Sequence, residues 1–314
     1  MKLVFCGTPR FAVPTLKALI AAGHEIPLVV TQPDRPVGRA QEMTAPPVKQ
    51  TALAAGLAVT QPEKIRNNQE FRARLEALQP DAIVVVAYGR IIPPWMLALP
   101  RLGCINLHAS LLPKYRGAAP IQWAVAMGET VTGNTTMLLE EGLDTGPILL
   151  QRTMEIGPEQ TAADLFDALA EAGAPLVVET LAGLDAGQIT PRRQDDAQAT
   201  LAPLLTREDG HMDLAARTAT ELRNRWRGFQ PWPGAYSMLH GKKLIVHRMA
   251  VAAHQAERGA AETGTVHVEE HRLFVACAQG TWLELIDVQM EGKKRMAAAE
   301  FLRGMQLAAG VRLG

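Results

Sequence analysis

The chain has 314 residues, is 47% hydrophobic and carries 32 basic against 32 acidic residues, a formal net charge of zero. That length makes two domains the natural expectation, and the apolar content is enough to give each a sizeable core. A membrane span needs roughly 18 uninterrupted apolar residues and a secretory signal a longer apolar start than Met1 to Gly7; the chain has neither, and its neutral balance gives no overall electrostatic reason to bind nucleic acid.

Residues 2–6 are apolar and β-prone and read as a first buried strand. Residues 11–22 place Phe11, Leu16, Leu19 and Ile20 at helical spacing. Residues 25–31 read as a strand again. The stretch 32–46 that follows is a long loop with prolines, a glycine and the cations Arg35 and Arg39. Long loops in compact domains are functional or disordered. Residues 68–78 read as helix, and 82–87 as a strand whose Ile-Val-Val-Val run is typical of one covered on both faces. Residues 104–108 make the next strand. Strand and helix alternating in this order predict a parallel sheet with helices on both faces, an α/β domain. Ligands of such sheets bind beyond the carboxyl ends of the strands, where Gly7, Tyr88 with Gly89, and His108 to Ser110 fall.

Within residues 104–108 the period of two puts Asn106 and His108 on one face and Ile105 and Leu107 on the other. Asn106 offers an amide donor and His108 a titratable imidazole. Downstream, the glycine-bounded loop 141–146 supplies Asp144. An Asn, a His and an Asp brought together make a site for attack on a carbonyl-like carbon.

Residues 120–127 read as a short helix, and 134–139 and 148–155 as strands. Thr161 with Asp164 resembles a capping box. The helix after it carries Leu165, Phe166, Leu169, Leu176 and Val177, with a kink expected at 173–175. Residues 187–203 are polar, hold two prolines and show no helical period, so they read as a linker between domains at 1–186 and 204–314. Beyond the linker, 214–226 reads as helix. Short strands at 235–239, 243–250, 264–268, 272–276 and 281–288, with glycine-bearing turns, predict a small antiparallel barrel, and their spacing alone also allows a sandwich.

Cys6, Cys104 and Cys277 lie far apart without metal-ligand spacing. Buried reduced thiols are the expectation, with no metal and a cytoplasmic location. Residues 204–314 hold 15 basic against 12 acidic residues, +3, and the remainder 17 against 20, −3. The C-terminal cations include three short clusters: Arg223, Arg225 and Arg227; Lys242, Lys243 and Arg248; Lys293, Lys294 and Arg295. A local stripe is enough for phosphate contact, because the Debye length is about 8 Å at physiological salt and distant acids are screened.

The run Asn106, His108, Ser110, Leu111, Leu112 and Pro113, followed by Arg116 to Gln122 and then Asp144, Thr145 and Gly146, resembles the formyltransferases that use 10-formyltetrahydrofolate. Gly7-Thr8-Pro9 with Phe11 and Ala12, the segments 31–39 and 84–89, Phe229 with Pro231-Trp232-Pro233, and Gly292-Lys293-Lys294 are similar to the branch that formylates methionyl-tRNA. The resemblance covers nearly the whole chain. It implies a Rossmann-like, mostly parallel sheet domain followed by a small OB-like β-barrel domain. It also implies formyl transfer from 10-formyltetrahydrofolate, as co-substrate, to the amino group of methionyl-initiator-tRNA for translation initiation.

Asn106, His108 and Asp144 are then expected as catalytic residues. Ser110, Leu111, Leu112, Pro113 and Tyr88 are expected to bind folate. Arg39, Arg35, Lys242, Lys243, Lys293 and Lys294 are expected to bind tRNA, in a monomer with no membrane partner. The alternative is a formyltransferase for a small amine, such as an amino sugar or glycinamide ribonucleotide, or a formyltetrahydrofolate hydrolase.

Overall fold

The computed structural model describes residues 1–38, 41–253, 261–305, 307–308 and 310–314. The N-terminal elements are β1 (Lys2–Gly7), α1 (Val13–Ala21), β2 (Glu25–Val30), β3 (Arg35–Val37), β4 (Glu42–Thr44), α2 (Pro47–Ala54), β5 (Val59–Thr60), α3 (Gln69–Leu78), β6 (Ala82–Val86) and α4 (Pro94–Leu97). They continue as β7 (Cys104–His108), α5 (Pro120–Ala126), β8 (Val131–Leu138), β9 (Ile148–Glu155) and α6 (Ala162–Asp185). After them come α7 (Ala219–Gly228), β10 (Tyr236–Leu239), β11 (Lys242–Val251), β12 (Val266–Glu269), β13 (Arg272–Ala276), β14 (Trp282–Met290), β15 (Met296–Ala297) and α8 (Ala298–Gly304).

Seven strands pair in the order β5-β2-β1-β6-β7-β8-β9. The first five run parallel, while β8 and β9 join antiparallel. The sheet is therefore mostly parallel with an antiparallel edge, as the alternation of elements leads one to expect of β1, β2, β6 and β7, with β5 added at the other edge. Its central strands are apolar on both faces because both are covered. Cys6, Ile83, Val85 and Cys104 pack with Phe71, Leu75 and Met96 on one side. On the other, α6 approaches so closely that a Cβ on Gly173 would lie 2.6 Å from the Leu107 side chain. The sequence reads Gly173 to Pro175 as a kink; α6 is a single helix through Pro175, and Gly173 is there for packing. The three cysteines are free and buried, and burial pushes the Cys104 and Cys277 thiols up to about 12.

The second sheet has the path β10-β11-β14-β13-β12, with β15 added to β14, all antiparallel. Its core gathers Leu244, Val246, Leu273, Val275, Leu283, Leu285 and Val288 with Leu222 of α7 and Phe301 of α8. The OB-like barrel implied by resemblance is here a curled antiparallel half-barrel, since β10 and β12 are not paired to each other among the described residues.

Periodicity placed α7 from residue 214, but the helix starts at Ala219 because Thr218 caps it. Thr218 Oγ1 accepts the Glu221 N–H, and the Glu221 carboxylate accepts the Thr218 N–H. The small elements β3, β4, β5, α4 and β15 are too short for a period to mark, and α2 and α8 are helices that the sequence reading does not mark. Two compact units result. One comprises Met1–Pro120, Val131–Ile156 and Asp164–Pro203, the other Ile121–Thr130, Gly157–Ala163 and Leu204–Gly314. Residues 187–203, which read as a linker, belong to the first and are bridged to it at Arg192↔Ile148 and Leu201↔Arg116.

Candidate active site

Three parallel strands, β1, β6 and β7, end side by side. Two of the ends are tied together by polar bonds. Thr8 Oγ1 donates to the Tyr88 carbonyl at 3.1 Å and accepts the Gln32 N–H at 3.3 Å, while Gln32 Nε2 donates to that carbonyl at 3.1 Å. The base of the 35–44 hairpin is braced to the same end. Lys49 pairs with Asp34 at 2.7 Å, and Gln61 Nε2 donates to Asp34 and to the Gln32 carbonyl. These partners hold the Asp34 carboxyl below the usual range, the Lys49 hydrogen bond contributing most.

Asn106 and His108 sit on β7 opposite Met137 and Thr135 of β8. Both are buried, at 9% and 6% exposure. The Asn106 amide has no hydrogen-bond partner among the described residues, so it is available to a ligand. His108 Nε2 lies 2.9 Å from the Tyr115 carbonyl. A carbonyl only accepts, so Nε2 carries the hydrogen and Nδ1 is left as the acceptor nitrogen of the neutral ring. Nδ1 faces Asp144 Oδ2 at 3.7 Å. The same oxygen accepts the Gly117 N–H at 2.9 Å. Gly117 is required there, since its φ is +125° and a Cβ would stand 2.6 Å from the Ala202 carbonyl oxygen. All three expected catalytic residues are thus at one place, although Asp144 is 36 positions from His108 in sequence.

The expected folate residues divide. Ser110 is fully buried, with Oγ donating to the Lys114 carbonyl at 2.6 Å. Leu112 is buried against Met137 and Ile148, and its N–H and carbonyl bond Thr135 Oγ1 and Gln151 Nε2. These two shape the turn. Leu111 and Pro113 are half-buried and offer apolar surface beside it. Tyr88 departs from expectation: its ring is 2% exposed and packs in the core beneath the strand ends, so it presents no side chain to a ligand. Burial also pushes its hydroxyl up.

Among the expected tRNA residues, Arg39 lies outside the described residues. Arg35 is exposed on β3. Lys242, Lys293 and Lys294 are exposed, and Lys243 lies with Nζ 3.5 Å from the centre of the Tyr236 ring. Strand pairing joins two of the clusters separated in sequence. Leu244 opposes Met290, and the Glu291 N–H bonds the Lys243 carbonyl at 2.9 Å. Lys242 and Lys243 therefore share one end of the sheet with the turn that carries Lys293 and Lys294.

The third cluster is structural. Arg223 pairs with Glu159, Arg225 lies over the rings of Trp123 and Phe229, which touch edge to face, and Arg227, 5% exposed, donates to the carbonyls of Gly157 and Gln160. Burial lowers the Arg225 and Arg227 guanidinium pKa values.

Sequence reasoning missed the groups that hold the site: the Tyr115 carbonyl, the Gly117 N–H and Gln194. The first two are backbone atoms without a side-chain signature, and Gln194 stands in a stretch that reads as linker. Among the described residues no group of three or more His, Cys, Asp or Glu side chains is placed to hold a metal, and no helix is long and apolar enough to cross a membrane.

The formyl transferase family model matches residues 1–181, and the model of the formyl transferase C-terminal domain matches residues 204–306. A methionyl-tRNA formyltransferase of Acidobacterium capsulatum is 69% identical over 314 residues, all of both chains. One from Koribacter versatilis is 56% identical, over all of this chain and 99% of its own. Among solved structures, a sugar 3N-formyl transferase, WlaRD, determined with dTDP and 5-N-formyl-THF, has a TM-score of 0.64 at 16% identity, covering 94% of this chain and 99% of its own. HypX from Aquifex aeolicus, in complex with tetrahydrofolic acid, has a TM-score of 0.59 at 16% identity, covering 96% of this chain and 47% of its own. These two likenesses show a common fold, while the match in sequence extends end to end, and the chain belongs to the formyltransferase family, among the methionyl-tRNA formyltransferases.

Proposed function

We propose that Asn106, His108 and Asp144 carry the transfer of a formyl group from 10-formyltetrahydrofolate to the amino group of methionyl-initiator-tRNA. The products are N-formylmethionyl-tRNA and tetrahydrofolate. Support for the reaction comes from relatives that are methionyl-tRNA formyltransferases at up to 69% identity over the full length. The observation that carries the residue assignment is the amide of Asn106, unpartnered among the described residues, on the same strand end as a His108 whose Nδ1 faces Asp144.

The amine nitrogen attacks the formyl carbon, and the C–N bond forms as the carbonyl oxygen becomes negative. A fixed donor aimed at that oxygen is usually the largest single catalytic term. Asn106 supplies one that stays a donor at any pH. His108 Nδ1 takes the proton released by the amine and returns it to the folate N10 as the N10–C bond breaks. Asp144 opposes the charge the imidazole carries in between. The electron-poor N10 activates the formyl group, so the reaction needs no covalent enzyme intermediate. Leu111 and Pro113 wall the folate ring. Arg35, Arg39 and the patch of Lys242, Lys243, Lys293 and Lys294 contact the tRNA, and the enzyme works in the cytoplasm.

The test offers purified protein and 10-formyltetrahydrofolate with charged initiator tRNA, charged elongator tRNA, free methionine and an amino sugar nucleotide in parallel. Formylation of the initiator is expected to exceed the others. Equal or faster formylation of the amino sugar would replace this reading with the small-amine alternative.

A further inference from the structure

We infer that Gln194 is a positioning residue for formyl transfer: its side-chain amide, oriented by Arg116, sets the loop that carries Asp144 against His108. This rests on the reading of Asp144 and His108 given above.

Three consecutive residues serve the two facing groups. Tyr115 gives its carbonyl to His108 Nε2, and Gly117 gives its N–H to Asp144 Oδ2, each at 2.9 Å. Arg116, between them, is 7% exposed and sends Nε and Nη2 to Gln194 Oε1 at 3.0 and 2.9 Å. Its Nη2 also reaches Asp196 at 2.8 Å. A guanidinium has donors only, so the Gln194 oxygen must face it and the amide cannot flip. The Gln194 NH₂ group is thereby turned to the loop, where Nε2 donates to the carbonyls of Asp144 at 2.8 Å and Gly146 at 2.7 Å.

The loop needs such a hold. Asp144 has φ +50°, left-handed for a residue with a side chain. Gly146 lies so close to β8 that a Cβ would stand 1.9 Å from the Leu138 carbonyl oxygen. Gly146 is thus set by contact with the strand, and Gln194 ties Asp144 to it through the two carbonyls. The segment bearing Gln194 is itself registered against Arg116, whose N–H bonds the Thr200 carbonyl at 2.9 Å and whose carbonyl accepts the Ala202 N–H at 2.7 Å. Asp144 and His108 are 3.7 Å apart, beyond hydrogen-bond length. Their coupling therefore depends on where the loop sits, and Gln194 touches no reacting atom.

Two near-isosteres test the inference. Gln194→Glu keeps the length and the pairing with Arg116 but cannot donate to the two carbonyls, and Gln194→Met removes donors and acceptor at similar volume. Each is expected to lower kcat by about 10- to 100-fold with KM for both substrates within about twofold, the pattern of a lost transition-state interaction. Combined with Asp144→Asn, neither should slow turnover further, because Gln194 acts through Asp144. The inference is overturned by wild-type kcat in either variant, by multiplicative losses in the double variant, or by failure of both to fold, which would make the amide a structural brace. Asp144→Asn with wild-type turnover would instead bring down the reading of the site on which this rests.

Discussion

Both units bury polar side chains, and they use them differently. In the first, Asn106 and His108 are 9% and 6% exposed at the end of β7. Among the described residues the Asn106 amide has no hydrogen-bond partner, and His108 is hydrogen-bonded through Nε2 alone. In the second, Arg227 is 5% exposed, and both its Nη atoms are spent on neighbours, Gly157, Gln160 and Asn224. Arg225 likewise lies over two aromatic rings, whereas Lys242, Lys293 and Lys294 stand in solvent. Burial of a polar group therefore has two meanings here. Arg227, spent on its neighbours, supports the fold, and Asn106, unbonded among the described residues yet still 9% exposed at a strand end, is available for chemistry.

The contrast can be broken most sharply at the strand end. Asn106→Ala, His108→Ala and Asp144→Ala are each expected to lower kcat by at least about 10²-fold, the scale of losing one oxyanion donor or proton-transfer partner. Their melting temperatures should stay close to wild type. A variant with near-normal turnover would take its residue out of the mechanism.

Arg227→Ala should do the reverse. It is expected to cost about 2–4 kcal/mol of stability, because two carbonyls lose their buried donor, with kcat per folded molecule unchanged. Denaturant unfolding read beside activity checks this. A loss of tRNA affinity without a loss of stability would move Arg227 to the binding surface.

Replacing Lys242, Lys243, Lys293 and Lys294 together by alanine should weaken tRNA binding by about tenfold at physiological salt and flatten its salt dependence, since each phosphate contact adds roughly 0.9 to the logarithmic slope. Folate KM should not move. An unchanged salt slope would show that the patch is solvated surface.

The smallest expected effect sharpens the structural side. Thr218→Ala removes the cap of α7 and should lower stability by about 1 kcal/mol while leaving both substrates' KM values alone. Retention of full stability would show that solvent replaces the cap.

Local order was readable from the residues themselves. The runs at β1, β2, β6, β7 and β9, the spacing in α1 and α3 and the alternation of Asn106 with His108 come from side-chain periodicity, which a strand or helix imposes within a few residues. The antiparallel edge formed by β8 and β9 was not readable, because pairing direction depends on how the chain returns to the sheet. Equivalent cation clusters in sequence also separated only on folding. Arg223 to Arg227 met carbonyls, rings and Glu159, while two other clusters met each other across β11 and β14.

The sequence by itself determined the strand-end motif, the two-part organisation of sheet types and, through its length of resemblance, the reaction class. Tertiary structure alone decided that Tyr88 faces the core, that Gln194 braces Asp144 and that Tyr115 and Gly117 hold the site through backbone atoms. The physical reason is range. Propensity and period act between near neighbours along the chain. The bonds that hold this site join residues as distant as Arg116 and Ala202, 86 positions apart, and a carbonyl or an amide N–H, common to almost every residue, acquires a role only from what folding sets beside it.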